Sequence, residues 1–311
     1  MNKNVLKIRH ISTNLRVDEY FSWISDVLRW QGKCDINIVL LDIPELLCFK
    51  QKISIDSYIG IAEDFLSLGV NLNKVNLVFQ SQLPEIQEMT SYLQYIQSTN
   101  KSTINEFVIH LETAIALIFS GDIILVDKNE IKKVEMIRDL ISKFNVNFTE
   151  NIKLPQSFLL RNSKLMGLDG REKLDNNNCL FFSDNQDLLK KKIITAITDS
   201  GSVINFNIKN KPHVSNLMNL YQLLTNKTYD EIKNEFYGKK YFEFKNAIFE
   251  KLDEFLKLNV KRPNVVSRQS IKKLLLESNK RTEKKLRNNL GAFKKIIKLV
   301  IYPVRLRRGA Y

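Results

Sequence analysis

The sequence predicts a two-part α/β protein, a doubly wound parallel sheet followed by an all-helical C-terminal region. Three observations carry that expectation. Up to residue 144, short apolar strand patterns alternate with amphipathic helical patterns, as in a parallel sheet covered on both faces. From Asp187 onward the strand patterns stop and five helical patterns follow one another. Charge also divides the chain. The first 260 residues hold 32 basic and 32 acidic residues, whereas residues 261–311 hold sixteen Lys/Arg and two Glu, a net +14 equal to that of the whole protein.

The elements are expected in this order. Residues 7–11 form a short strand, and residues 17–30 a helix with Tyr20, Phe21, Ile24, Val27 and Leu28 on one face. Residues 35–41 (DINIVLL) read as a buried strand, and 54–68 as a helix stopped by Gly69. A strand at 76–80 precedes a helix at 83–98. A long helix at 105–119 ends at Ser120-Gly121, followed by a strand at 122–126 and a helix at 130–144. The later helices span 188–197, 214–225, 229–237, 241–258 and 270–290. These patterns divide the chain into an α/β domain (1–186), a helical domain (187–293) and a basic tail (294–311).

Length and composition narrow the class. A chain of 311 residues with 44% apolar content can bury a full core. No apolar run reaches the ~18 residues needed to span a bilayer. The start MNKNVLKIRH lacks the apolar core of a secretory signal, so a cytoplasmic location is expected. Cys34, Cys48 and Cys179 have no metal-binding spacing and read as reduced structural thiols. His10, His110 and His213 fall at no triad or ligand spacing and read as structural, and no metal site is expected.

Several stretches together resemble the tryptophanyl-tRNA synthetase family of class I aminoacyl-tRNA synthetases. The most specific is Val78-Phe79-Gln80-Ser81-Gln82-Leu83-Pro84-Glu85, similar to that family's Phe-x-Gln-Ser-x-x-Pro-Glu. Upstream, Ile61-Ala62-Glu63-Asp64-Phe65-Leu66-Ser67-Leu68-Gly69 resembles its Ala-x-x-x-Leu-x-x-Gly helix. Met166-Gly167-Leu168-Asp169-Gly170 resembles the approach to its signature loop. Lys192-Ile193 through Thr198-Asp199-Ser200 resembles its Lys-Ile-x-x-Ala-x-Thr-Asp-Ser. Residues 211–217 and 237–245 resemble its helical domain. The resemblance covers roughly residues 10–290. It implies a Rossmann-type domain, a helical tRNA-anticodon-binding domain, tRNA or aminoacyl-tRNA as partner, and a homodimer.

The departures fall on the chemistry. The family's first signature, His-x-Gly-Asn/His, lies at the turn between the first strand and helix, where the glycine admits the nucleotide and the histidines contact the triphosphate. Its counterpart here is Arg16-Val17-Asp18-Glu19. Asp18 and Glu19 would face ATP phosphates with like charge. The first glycine of the chain is Gly32, so no glycine-rich phosphate turn follows the first strand. The second signature, Lys-Met-Ser-Lys-Ser, falls on Gly170-Arg171-Glu172-Lys173-Leu174, where only Lys173 matches and Arg171 supplies a neighbouring cation. Glu172 adds an anion to a loop that should neutralise pyrophosphate.

The amino-acid pocket is altered as well. The position of the family's indole-binding aspartate is Ile115, and a buried indole N–H without an acceptor costs ~1–3 kcal/mol. The family's Gly-x-Asp-Gln becomes Asp127-Lys128-Asn129-Glu130, and its Asp-x-His keeps only Asp42. Residues 97–102, with Gln97, correspond to its Gln-Phe-Lys-Asp-Lys-Ser. The expected ligand cleft is therefore Asp42, Gln80, Gln97, Ile115, Asp127, Asn129 and Glu130. For Asp42 a helix cap is the alternative role. Lys190-Lys191-Lys192 reads as a solvated helix start or a tRNA backbone contact.

Beyond residue 293 the tail KKIIKLVIYPVRLRRGAY adds a basic amphipathic pattern. Phe293, Ile296, Ile297, Val300 and Ile301 share one face, and Lys294, Lys295 and Lys298 the other. With Lys284, Lys285, Arg305, Arg307 and Arg308, these cations form a candidate polyanion-binding set for RNA or an anionic membrane surface, such as the inner face of the cell membrane. Docking on the protein body and simple solvation are the alternatives. Three functions follow: a synthetase-like protein without ordinary tryptophan activation that binds tRNA, aminoacyl-tRNA or a small ligand in another pathway; a divergent active ligase using ATP and Mg; or a peripheral membrane module.

Overall fold

The structure is a computed structural model that describes residues 3–10, 14–44, 54–97, 104–148, 150–160, 165–171, 177–261 and 267–297. Its centre is β1 (Asn4–His10), which pairs in parallel with β2 (Asp35–Leu41) on one side and β4 (Ile123–Val126) on the other. β3 (Val75–Phe79) extends the sheet beyond β2, and β5 (Gln156–Leu159) beyond β4, giving the parallel order β3-β2-β1-β4-β5. Alternation along β2 shows why both faces need covering. Ile36, Ile38 and Leu40 enter one apolar core, whereas Val39 and Leu41 enter a second on the opposite face. β5 escapes a reading based on apolar patterns because its residues are exposed; it is an edge strand held by its register, Ile123 opposite Gln156.

Across the first strands runs a polar ladder. Asn76 Nδ2 donates to Asn37 Oδ1 (2.9 Å) and Asn37 Nδ2 to Asn4 Oδ1 (2.8 Å). Asn4 in turn donates to the carbonyl of Phe119, so each buried amide is satisfied within the core.

The expected first helix is three pieces: α1 (Val17–Glu19), a π-turn (Tyr20–Ile24) and α2 (Ser25–Trp30). The extra residue of the π-turn rotates the buried face. Trp23, Ile24 and Val27 are therefore buried, while Tyr20, Phe21 and Leu28 are only partly covered. After α3 (Ile55–Ser67), α4 (Pro84–Gln97), α5 (Ile104–Ile118) and α6 (Ile131–Phe148) complete the α/β part. α7 (Gln186–Thr195), α8 (Pro212–Thr225), α9 (Tyr229–Glu235) and α10 (Tyr241–Asn259) follow, and their core residues continue that of the sheet.

α11 (Arg268–Ile296) corrects two expectations. Among the described residues its main packing partners are β3, α3, α4 and α5 rather than the helical domain, and it runs through the boundary drawn at residues 293 and 294. Its buried face returns to the α/β body: Leu286, Leu290 and Phe293 join the second core, and Ser278 Oγ donates to the Leu77 carbonyl (3.1 Å). Phe293 stacks on Phe144 at 4.8 Å, and Ile296 and Ile297 pack beside it. The apolar side expected to meet a membrane is thus spent, over its described part, on the protein itself.

Candidate functional site

Local sequence explains how the segment at the first signature position is held. Leu15 is buried and apolar, and its backbone is fixed from two sides. Its N–H donates to Asp64 Oδ2 of α3 (3.1 Å), and its carbonyl accepts from Phe182 N (3.1 Å). Val17 N donates to Leu180 O (2.9 Å). The segment is therefore pinned by backbone hydrogen bonds to the strand-like stretch that follows the second signature loop.

Two acid–base pairs occupy the turn. Arg9, from the end of β1, grips Glu19 in bidentate fashion: Nε to Oε1 at 2.5 Å and Nη2 to Oε2 at 2.7 Å, both side chains buried. Glu19 Oε2 also accepts from Arg16 N (3.0 Å). Arg16 pairs with Asp18 through Nε–Oδ1 (2.9 Å) and Nη2–Oδ2 (3.2 Å). Asp18 and Glu19 therefore do not present bare negative charge to a phosphate site, as their sequence suggested; arginines of the same chain neutralise them. Burial pushes the Glu19 carboxyl up, but Arg9 and Arg16 outweigh it and hold the group down at about 2. For Asp18 burial wins over Arg16, and its carboxyl lies above the ordinary range.

The second signature region is braced by its glycines. Gly170 adopts φ +79°, which favours glycine, and a Cβ there would collide with His213 of α8. Asp169 accepts from Arg171 N (3.1 Å), Arg171 Nε (2.5 Å) and Asn178 Nδ2 (3.0 Å), so the cation expected to neutralise a phosphate is engaged within the turn. Asn216 of α8 clamps the backbone of Met166 by donating to its carbonyl (3.1 Å) and accepting from its N–H (2.9 Å). Lys173 lies outside the described residues. Lys192 is not solvated: it is buried and donates to the Cys179 carbonyl and Asp184 Oδ2, both at 2.8 Å. Between the two signature regions, Arg16, Asp18, Met166, Leu168, Asn178 and Cys179 line a cavity of about 20 Å³. That is room for about one water, whereas ligand pockets span ~300–1,000 Å³.

Of the expected cleft residues, Asp42, Gln80, Asp127, Asn129 and Glu130 follow β2, β3 and β4 at the C-terminal edge of the sheet, where open α/β folds bind ligands. Asp42 is saturated: it accepts from Tyr58 Oη (2.7 Å), Ser81 Oγ (2.5 Å) and Ser81 N (2.9 Å), joining α3 to the turn after β3. Gln80 is buried, and its amide has no hydrogen-bond partner among the described residues. Asp127 N donates to Glu130 Oε2 (3.1 Å), closing the turn after β4, and Asn129 is exposed there. Ile115 is fully buried in the second core. Gln97 ends α4, and its side chain lies outside the described residues.

Sequence reasoning missed the charges beneath this edge. Lys7 Nζ lies 3.8 Å from Glu130 and donates to the Leu125 carbonyl (3.3 Å); Lys133 reaches Glu112 (3.5 Å) and Glu130 (3.8 Å). Two cations alternating in the apolar run of β1 were the available signal, because a buried lysine or arginine needs an acidic partner.

Asp64 makes a pH prediction. Burial raises its carboxyl to about 6, above the unfolded 3.8. A raised carboxyl contributes stability that is complete below the unfolded value and lost as pH rises through the folded one. Asp64→Asn keeps an acceptor for Leu15 N and does not titrate. The wild type should lose up to about 3 kcal/mol relative to this variant between pH 4 and 7. Urea denaturation at several pH values measures it, and parallel profiles would contradict the burial argument.

In the polyanion-binding set, Lys284 and Lys295 are exposed, whereas Lys285 pairs with Asp35 (2.9 Å) and Lys294 with Glu88 (2.5 Å). Lys298, Arg305, Arg307, Arg308 and Cys48 lie outside the described residues. Among the described residues, no three His, Cys, Asp or Glu side chains are grouped to hold a metal ion, and no helix is long and apolar enough to cross a membrane.

Residues 118–257 match the model of the family described as tRNA synthetases class I (W and Y). Curated relatives include a tryptophan–tRNA ligase of Caldanaerobacter subterraneus, 24% identical over 297 residues (88% of this chain, 91% of the relative). That of Bacillus subtilis is 27% identical over 268 residues, covering 76% of this chain and 81% of the relative. The tryptophanyl-tRNA synthetase structure from Mycoplasma pneumoniae superimposes with a TM-score of 0.76 at 20% identity, covering 96% of this chain and 99% of that one. The enzyme from Campylobacter jejuni, complexed with ADP and tryptophan, gives 0.73 at 21% identity, covering 95% of this chain and 100% of that one. At these identities the superpositions establish the shared fold.

Proposed function

The chain belongs to the tryptophanyl-tRNA synthetase family, and from that premise we propose that it has lost ordinary tryptophan activation and uses the fold to bind tRNA, aminoacyl-tRNA or a small ligand. The observation that carries the reading is the first signature turn. Where a phosphate-handling turn needs a close-approach backbone and free donors, Arg9–Glu19 and Arg16–Asp18 satisfy one another. The adjoining cavity of about 20 Å³ would have to open for any triphosphate to enter. ATP and Mg therefore do not fit the described residues as arranged. A fully buried Ile115 adds to the reading, since that side chain gives an indole N–H no acceptor.

The second reading, a divergent active ligase, is favoured by one feature. The Arg16 guanidinium lines the cavity and would be a phosphate donor if it left Asp18. Either reading is consistent with the homodimer that the family resemblance implies. Pyrophosphate exchange into ATP, run with each of the twenty amino acids, separates the two. Exchange with one amino acid at a synthetase-like rate supports the ligase; its absence with all twenty supports loss of activation. Peripheral membrane association has less support, because Phe293, Ile296 and Ile297 are committed to the second core.

A further inference from the structure

α11 divides its cations between two tasks. One group fastens the helix to the α/β body: Lys285 to Asp35, Arg287 to Glu85, Lys294 to Glu88, and Arg281 to the Leu72 carbonyl. A second group, Lys273, Lys280, Lys284 and Lys295, is exposed on the side away from the buried face of Ile271, Leu275, Thr282, Leu286 and Phe293. At about 100° per residue these four lie within roughly 60° of one another around the axis, and they span about 33 Å at ~1.5 Å per residue. In the same sector, Glu277 approaches Lys273 at 4.0 Å, an exposed contact of little strength. Glu283, further round the helix, is paired with Arg287.

We infer that this lysine rail is a docking surface for the phosphate backbone of a nucleic-acid duplex. The span is comparable with one duplex turn, ~34 Å in B-form and roughly 30 Å in A-form RNA. Packing of the opposite face holds the helix that carries the cations, so its backbone need not be ordered on binding. The chemistry also selects against a bilayer. An interfacial helix must bury an apolar face among the lipids, and the apolar face of α11 is already inside the protein; the rail offers charge and the polar Asn288. The inference rests on the synthetase-like reading only in naming a structured RNA such as tRNA as the natural duplex.

The test uses the full-length chain. A rail variant carries Lys273→Gln, Lys280→Gln, Lys284→Gln and Lys295→Gln. A control variant carries Lys3→Gln, Lys33→Gln, Lys132→Gln and Lys143→Gln, the same charge removed from exposed lysines of the α/β part. Thermal melts establish that both fold. Binding of unfractionated tRNA and of a 30-base-pair RNA duplex is measured from about 50 to 300 mM salt, and binding to vesicles rich in phosphatidylserine alongside. Removing four phosphate contacts should flatten the slope of log affinity against log salt by about three to four, for both RNAs. The control variant should stay within about one unit of wild type. Equal loss in both variants, or a rail variant that matches wild type, overturns the inference and leaves the family reading standing. Wild type that binds vesicles but neither RNA overturns it as well.

Discussion

Replacing Ile115 by aspartate is expected to unfold the protein rather than build an indole site. Ile115 is wholly buried among the apolar residues of the second core, with Leu6, Leu111 and Ile118 in the same cluster. A carboxylate there loses its hydration without gaining a partner, or must take up a proton to remain. The cost, at least about 4 kcal/mol, is a large part of the ~5–15 kcal/mol that holds a domain folded. Urea denaturation followed by circular dichroism should show a transition shifted to much lower denaturant, or none. A variant within about 1 kcal/mol of wild type that also gained tryptophan binding would show that this position still faces an amino-acid pocket.

The second large effect is expected at Arg9. Arg9→Met removes one half of a buried bidentate pair and leaves Glu19 charged beneath the first signature turn. Stranding such a charge costs about 3–5 kcal/mol. Arg9→Met combined with Glu19→Leu replaces both partners by apolar groups and should recover most of that loss. The double-mutant cycle measures the coupling directly. Coupling near zero would mean that the pair does not hold the turn, and the account of a self-satisfied signature would fail with it.

The alternation of strands and helices was legible because parallel strands buried on both faces leave continuous apolar runs such as residues 35–41. β5 was not, since an exposed edge strand needs no apolar pattern. The π-turn at Tyr20–Ile24 was invisible to a reading that assumes 3.6 residues per turn throughout. α11 was legible as a helix but not in its destination: its apolar stripe fits either domain, and the ion pairs to Asp35, Glu85 and Glu88 join residues about 200 or more apart. At the site, Arg16, Asp18 and Glu19 could be named in advance, yet their charges read the wrong way. Arg9 and Asp64, which set the electrostatics of that turn, belong to other elements that only the fold brings together.

On the proposed function, the first signature turn is an internal ion-pair network rather than a phosphate site. The measurement closest to it is tryptophan-dependent exchange of labelled pyrophosphate into ATP by the full-length protein with saturating Mg. Loss of a single transition-state donor lowers a rate by on the order of 10²–10³. With both signatures altered, the account predicts exchange more than about a thousandfold below that of an active relative assayed alongside, such as the Bacillus subtilis tryptophan–tRNA ligase. Exchange within about tenfold of that enzyme would contradict it, because Arg16 and Asp18 would then have to separate and admit the nucleotide on every turnover.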